Sequence, residues 1–206
     1  CGGHYGEHEC ANESWIAWGD DAFEQGTLPF LSGNYYLVSD ITAAGKSMLT
    51  EPGETIRLCL NGHTIDRGLT EDEDDGEVIF INDDADVIIN NGTIKGYDKI
   101  AIRTFANSAT EAISVTVNGG AINATNGGRG IKIADQYIDA PESVTLNVTG
   151  TKFTTAKKAA VLVSSKAGAD ITATNVDIAN VVADSTNFAW VDEDWAANYG
   201  NVTVTG

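Results

Sequence analysis

The chain has 206 residues, 42% hydrophobic and 20% charged, which is enough to bury a core in one or two domains. It carries 30 acidic and 12 basic residues, for a formal charge of −18 at pH 7. This charge repels nucleic-acid phosphates and anionic lipids, and no apolar run is long enough to span a bilayer, so we expect neither a nucleic-acid partner nor direct membrane insertion.

The first ten residues hold the closest group of potential metal ligands: Cys1, His4, His8 and Cys10. Two thiolates and two imidazoles can complete a tetrahedral zinc site. A Cys1–Cys10 disulfide uses the same thiols and is normal in an exported protein. Spacing alone does not separate zinc, a disulfide or neither, and each outcome is structural rather than chemistry on a substrate.

Residues 1–54 contain no copy of the repeat that follows, and we interpret them as an N-terminal Cys/His segment and an aromatic cap. Segment 12–25 is predicted to be a short helix or an irregular cap, and 33–40 a first strand. A solenoid end needs a cover over its open core. Three aromatic residues are candidates for that cover: Trp15, Trp18 and Phe23.

Residues 55–206 carry a motif that returns at steps of 27 to 31 residues, which is typical of a solenoid. Each copy has a β-type triplet, an Asn or Gly turn and a further apolar residue. The triplets begin at Ile56, Val87, Val115, Val144, Ile171 and Val202. Thr116, Thr145, Thr172 and Thr203 are the central residues of four triplets, and we interpret this column as structural because Thr has high strand propensity.

Two further strand series accompany the triplets. One series is predicted at 79–81, 102–104, 131–133, 161–163 and 189–191, and the other ends at Ile65, Ile94, Ile122, Phe153 and Ile178. Asn or Gly residues such as Asn61, Asn147 and Asn175 separate the triplets from the last series, and they permit the left-handed backbone of sharp corners. We therefore predict an all-β fold, a right-handed parallel β-helix of about six coils that is truncated at its C-terminus.

An acidic run at 71–77 is a candidate calcium loop, with oxygen ligands from Asp72, Asp74, Asp75 and Glu77. The run lacks the ligand spacing of an EF-hand, and a solvated acidic loop is the alternative. A second acidic group at 82–86 would strengthen the calcium interpretation if both loops lay on one side.

Asp83 and Asp84 raise an enzymatic alternative, because paired carboxylates can flank a glycosidic bond as acid and base. The pectin-hydrolase family would also show Gly-His-Gly and Arg-Ile-Lys sets, and this chain has neither. A lyase acting on polyuronates would have to overcome the repulsion of a chain with charge −18.

The last long loop combines aromatic rings with carboxylates that can stack on sugars and bind their hydroxyls: Trp190, Asp192, Asp194 and Trp195. The alternative is that these rings pack over the last coils. Cys59 and His63 are interpreted as structural residues, the first facing outward or lying under the cap, and the second making hydrogen bonds.

A family resemblance covers roughly the first third of the chain. Trp-Ile-Ala-Trp at 15–18, Leu-Pro at 28–29, Gly-Asn-Tyr-Tyr-Leu at 33–37, Asp40 and Leu-Cys-Leu-Asn-Gly-His-Thr-Ile at 58–65 resemble a Trp/Tyr-capped β-helix module of large surface proteins from gut anaerobic bacteria. The resemblance implies an extracellular, cell-surface, multidomain context and brings no catalytic residues with it.

Together these features predict a non-catalytic module of a bacterial cell surface, serving adhesion, glycan binding or rigid display. The expected partners are a glycan or a host surface protein, together with flanking domains of a larger chain. Zinc and calcium are the two candidate cofactors. The rival hypothesis is a glycoside hydrolase or lyase that uses Asp83 and Asp84.

Overall fold

A computed structural model describes the strands of the chain and the turns that join many of them, and within it no helix is long and apolar enough to cross a membrane. The described residues are 14–19, 28–42, 48–68, 76–82, 84–96, 100–106, 112–124, 129–135, 144–155, 160–164, 169–181, 188–191 and 202–205.

Twenty strands and no helix occur in these ranges. In chain order they are β1 (Ile16–Trp18), β2 (Gly33–Leu37), β3 (Ile41–Thr42), β4 (Met48–Leu49), β5 (Thr55–Cys59), β6 (Thr64–Asp66), β7 (Glu77–Ile81), β8 (Asp86–Asn90), β9 (Thr93–Lys95), β10 (Ile100–Ala106), β11 (Ile113–Asn118), β12 (Ala121–Ala124), β13 (Arg129–Asp135), β14 (Val144–Thr149), β15 (Lys152–Thr155), β16 (Val161–Ser164), β17 (Ala169–Thr174), β18 (Asp177–Val181), β19 (Ala189–Val191) and β20 (Val202–Thr205).

The strands form three sheets in which the strand pairs are parallel, as in a parallel β-helix. Sheet 1 has eight strands in the order β1-β2-β5-β8-β11-β14-β17-β20. Sheet 2 has the order β19-β16-β13-β10-β7-β4, and sheet 3 the order β18-β15-β12-β9-β6-β3. From β2 onward the chain visits sheets 1, 3 and 2 in turn, so each circuit adds one strand to each sheet. The predicted fold class is confirmed.

The core lies between the sheets and is built from one side of each strand. In β11 and β14 burial alternates, so that Val115, Val117, Leu146 and Val148 are buried between polar neighbours. This period of two places every second side chain inside. Because each circuit repeats the pattern, apolar residues stack on apolar residues of the next circuit and form one continuous cluster.

The predicted register of sheet 2 is confirmed strand by strand. Five positions are successive backbone partners: Ile79, Ile102, Ile131, Val161 and Ala189. In sheet 3 the partners are Ile41, Ile65, Ile94, Ile122 and Phe153. The pairing of β15 with β18 is irregular between Lys152 and Thr154, and Ile178, which lies in that stretch, packs against the core.

Sheet 1 corrects the predicted phase of one copy. Val115 pairs with Leu146, two residues beyond the predicted Val144. Thr145 therefore lies opposite Ser114 and outside the Thr column, whose place is taken by Asn147. Asn147 is inside β14, not at a corner as predicted. A shift of two residues leaves the same face buried, which is why hydrophobic alternation did not reveal it.

The sheets extend upstream of the repeat that the sequence displays. β2, β3 and β4 add a strand to sheets 1, 3 and 2, and β2 pairs with β5 from Gly33 opposite Ile56. β1 pairs in turn with β2. A helix is therefore wrong for residues 16–18, where Ile and Trp favour a strand.

Backbone hydrogen bonds join successive circuits at the corner between sheets 1 and 3. The Gly62 N–H donates to the Asn91 carbonyl at 2.7 Å, and the Asn91 N–H donates to the Asn118 carbonyl at 2.9 Å. Asn61 and Asn91 have φ of 53° and 50°, which Asn tolerates better than other non-glycine residues. The corners are thus as tightly stacked as the strands.

Replacing a buried stack residue should destabilise the fold strongly. Leu146 is fully buried, so Leu146→Ala should lower the free energy of unfolding by about 2–5 kcal/mol. Thr145→Ala, at the exposed neighbour, should change it by less than about 0.5 kcal/mol. Urea denaturation measures both, and equal midpoints for the two variants would contradict the assigned register.

Two glycines test how closely the corners stack. Gly120 and Gly62 have φ of 72° and 81°, so alanine is strained at both. A Cβ at Gly120 would lie 2.2 Å from the Gly92 carbonyl oxygen, whereas one at Gly62 would meet nothing within 4 Å. We expect Gly120→Ala to lower the melting temperature much more than Gly62→Ala does. Similar melting temperatures would show that the corners are looser than described.

Candidate functional site

Exposed large hydrophobic side chains are concentrated near the first strands of sheet 1. Within the described ranges these are Ile16, Phe30, Leu31 and Val38, with exposed fractions of 50%, 40%, 51% and 52%. Such a concentration on an otherwise acidic protein indicates a contact surface, since scattered single residues are the usual case. Three of the four line one cavity, which is the candidate binding site.

The cavity has a volume of about 180 Å³ and is lined by Ile16, Trp18, Phe30, Leu31 and Tyr35. Trp18 and Tyr35 are only 5% and 6% exposed. Their rings meet edge to face, with centroids 5.4 Å apart and an interplanar angle of 89°. Pairing of β1 with β2 fixes this contact, because Ile16 lies opposite Tyr35 and Trp18 opposite Leu37.

The wall that carries Phe30 and Leu31 is held in place by polar contacts. Tyr35 donates its hydroxyl hydrogen to the Leu31 carbonyl at 3.0 Å. Ser32 donates from its backbone N–H and its hydroxyl to the Glu54 carboxylate, and its Oγ accepts the Thr55 N–H at 2.9 Å. The segment therefore rests on β5, and its two apolar side chains remain exposed beside the aromatic pair.

The chemistry of the cavity is that of binding rather than catalysis. Burial, and then the nearby Glu54 carboxylate, raise the pKa of Tyr35 above its usual value, so its hydroxyl stays protonated at neutral pH. The other four lining residues have no titratable side chain. Apolar cavities of about 150 Å³ accept a benzene molecule, so this volume suits one aromatic or branched aliphatic group.

The sequence around the cavity-lining residues is acidic. Residues 1–54 contain nine Asp and Glu residues against one lysine and no arginine, and three of the nine are among the described residues: Asp40, Glu51 and Glu54. Glu54 bonds directly to the cavity wall, and Asp40 is exposed nearby in sequence, just after β2. An apolar cavity with this setting favours a ligand that combines an apolar group with positive charge.

The predicted N-terminal zinc or disulfide group of Cys1, His4, His8 and Cys10 lies outside the described residues. Asp72, Asp74 and Asp75 of the predicted calcium loop also lie outside them, as do Asp83, Asp192, Asp194 and Trp195. The parts of the chain that the structure does describe bring no three His, Cys, Asp or Glu side chains together as a metal site.

Glu77 and Asp84 are described, and they are not adjacent. Glu77 begins β7, is 8% exposed and has an oxygen 3.6 Å from Nη1 of Arg103. Asp84 follows the other end of that strand in an exposed turn with φ of 56°. Five residues at about 3.3 Å each separate the two ends of β7 by roughly 15 Å. The two acidic groups thus flank a strand.

Arg103 is a buried cation on sheet 2 that the sequence did not single out as a site residue. Its guanidinium carbon lies 5.4 Å from the Phe80 ring centroid and 5.3 Å from that of Phe105. Together with Glu77, these rings account for an arginine that is 7% exposed. We assign this cluster a structural role.

Three other residues that were singled out in the sequence also lie within the described ranges. Trp190 is the central residue of β19 and pairs with Leu162 of β16, as the strand predicted at 189–191 requires. Cys59 is buried, at 2% exposure, and does not face outward. His63 lies at a corner with its Nδ1 3.3 Å from Oδ1 of Asp40.

No protein-family model matches the chain, and no curated protein or solved structure matches it significantly.

The Asp40 contact should make stability depend on pH. The Thr64 N–H, which donates to Asp40 at 2.9 Å, and the His63 side chain lower the pKa of this carboxyl. A lowered folded-state pKa gives stability that is present above the unfolded-state pKa and is lost as the pH falls through the folded-state value. Wild type should therefore melt above Asp40→Asn at pH 6, and the difference should vanish near pH 2. Thermal melts across this range test it, and a constant difference would contradict it.

Proposed function

We propose that this chain is a non-catalytic adhesion module of a bacterial cell surface, and that the cavity of Ile16, Trp18, Phe30, Leu31 and Tyr35 holds its partner. The observation that carries the proposal is the concentration of exposed apolar side chains around one preformed, aromatic-based cavity. Buried aromatic pockets that receive a single anchor are where interfaces gain most of their affinity.

The scaffold supports the same function. A stack of parallel strands with hydrogen-bonded corners holds the cavity wall in one arrangement before binding, which reduces the entropy cost of association. The acidic charge keeps a protein with exposed sheet edges soluble outside the cell. The bacterial surface context comes from the sequence resemblance.

The test is adhesion of beads coated with the purified chain to panels of epithelial cells, extracellular-matrix proteins and glycans. Leu31→Asp places a charge on the rim of the cavity, and Val38→Asp is a matched control. Both leucine and valine are half exposed, but Val38 does not line the cavity. We expect Leu31→Asp to weaken adhesion at least about tenfold and Val38→Asp to change it less than about threefold.

Equal losses in the two variants would mean that the cavity is not the binding site. Adhesion to glycans alone, unchanged by Leu31→Asp, would place the binding site outside the cavity. Product release from a glycoside panel that Asp84→Asn abolishes would replace adhesion with the enzymatic alternative.

A further inference from the structure

The strand at the end of sheet 1 has one edge that faces away from the sheet. β1 pairs with β2, and the Val38 N–H donates to the Trp18 carbonyl at 2.9 Å. Successive residues of a strand direct their backbone polar groups to opposite edges. The backbone N–H and C=O of Trp18 face β2. The N–H and C=O of Ala17 therefore face the opposite, outer edge of β1. No other strand in the described part of the chain pairs with that edge.

Residues 16–18 carry no charge, proline or bulge to protect this edge, although the strand is only three residues long. Proteins place Lys, Pro, a bulge or an inward charge at such positions. β1 reads Ile-Ala-Trp, pairs regularly with β2, and leaves Ile16 and Ala17 exposed. An unprotected apolar edge is a template on which another extended segment can pair.

The edge and the cavity are one continuous surface. Ile16 belongs to β1 and also lines the cavity, and Trp18, at the other end of the same strand, contributes to its base. A segment that paired with β1 would place alternate side chains on the side of the cavity, because side chains alternate along a strand. Backbone pairing would supply affinity, and the cavity would select one apolar side chain.

We infer that the partner of this module is an extended, basic segment of another protein that adds a strand to β1 and inserts an aromatic or branched aliphatic side chain into the cavity. This inference rests on the proposed adhesion function and names its partner class. The basic character follows from the chain's charge of −18 and from Glu54, whose carboxylate bonds to the wall of the cavity.

The probe is a fluorescein-labelled ten-residue peptide of alternating lysine and valine with one central phenylalanine. Its affinity is measured by fluorescence anisotropy at about 0.1 M salt, where charge attraction still acts over about 10 Å. We expect saturable binding, weakened at least about tenfold by Leu31→Asp. A peptide with glutamate in place of lysine should bind at least about tenfold more weakly, and equal binding would overturn the assignment of a basic partner.

Ala17→Pro tests strand addition separately from the cavity. Proline removes the N–H that faces the free edge, is tolerated in edge strands, and leaves the Trp18–Val38 hydrogen bond in place. Ala17→Thr keeps the N–H and is the control. We expect at least about a tenfold loss of peptide affinity in Ala17→Pro and less than about threefold in Ala17→Thr, with thermal melts confirming that both fold.

A second measurement does not depend on any variant of the protein. Methylating alternate backbone nitrogens of the peptide, on the edge that would face β1, should abolish binding, and methylating the opposite edge should not. Binding that survives both this methylation and Ala17→Pro, yet is lost in Leu31→Asp, would overturn strand addition and leave the cavity proposal standing.

Two further outcomes would also overturn the inference. Absence of peptide binding, while coated beads still adhere through Leu31, would show that the partner is not an extended basic segment. Self-association of the chain that Ala17→Pro abolishes would assign the edge to a second copy instead.

Discussion

The corner between sheets 1 and 3 is the constraint on which the rest of the structure depends. There the backbone turns in a left-handed conformation and, in the same few residues, donates hydrogen bonds to the next circuit. Asn118 adds a side-chain bond of 3.0 Å from its Nδ2 to Oδ1 of Asn90. From β8 onward each of these corners has two residues, and their close contact holds the strands on either side in register; the corner between β5 and β6 has four residues and keeps the same pairing. The buried columns follow from that register.

Much of this architecture could be predicted from the sequence because its signals are local. The columns of sheet 2 follow from Ile, Val and Ala at matching places in successive copies. The corner positions Asn61 and Asn175 follow from the left-handed backbone conformation that Asn tolerates. The phase at Leu146 could not be predicted, since alternation has a period of two and a shift by two residues preserves it. The circuit at 33–49 was hidden because Gly33 occupies the place that Ile and Val hold elsewhere.

The candidate site shows where sequence reasoning stops. Trp18 is one of the three residues suggested for the cap, and its ring is buried against Tyr35. Ile16, Phe30 and Leu31 gave no comparable signal, because an apolar residue outside the repeat is by default assigned to a core. Their exposure is a property of the assembled surface, produced when β1 pairs with β2 and Ser32 bonds to β5. The acidic charge of the chain, by contrast, follows directly from its composition.

The spacing of the strands also says what this stack is suited to. The 147 residues from Ile56 to Val202 cover five strand-to-strand steps. At about 4.8 Å per step they advance the stack by only about 24 Å, whereas the same residues in one α-helix would extend about 220 Å. A chain folded in this way yields very little reach for its length and a large lateral area instead. Selection for such a fold is selection for surface area rather than for reach.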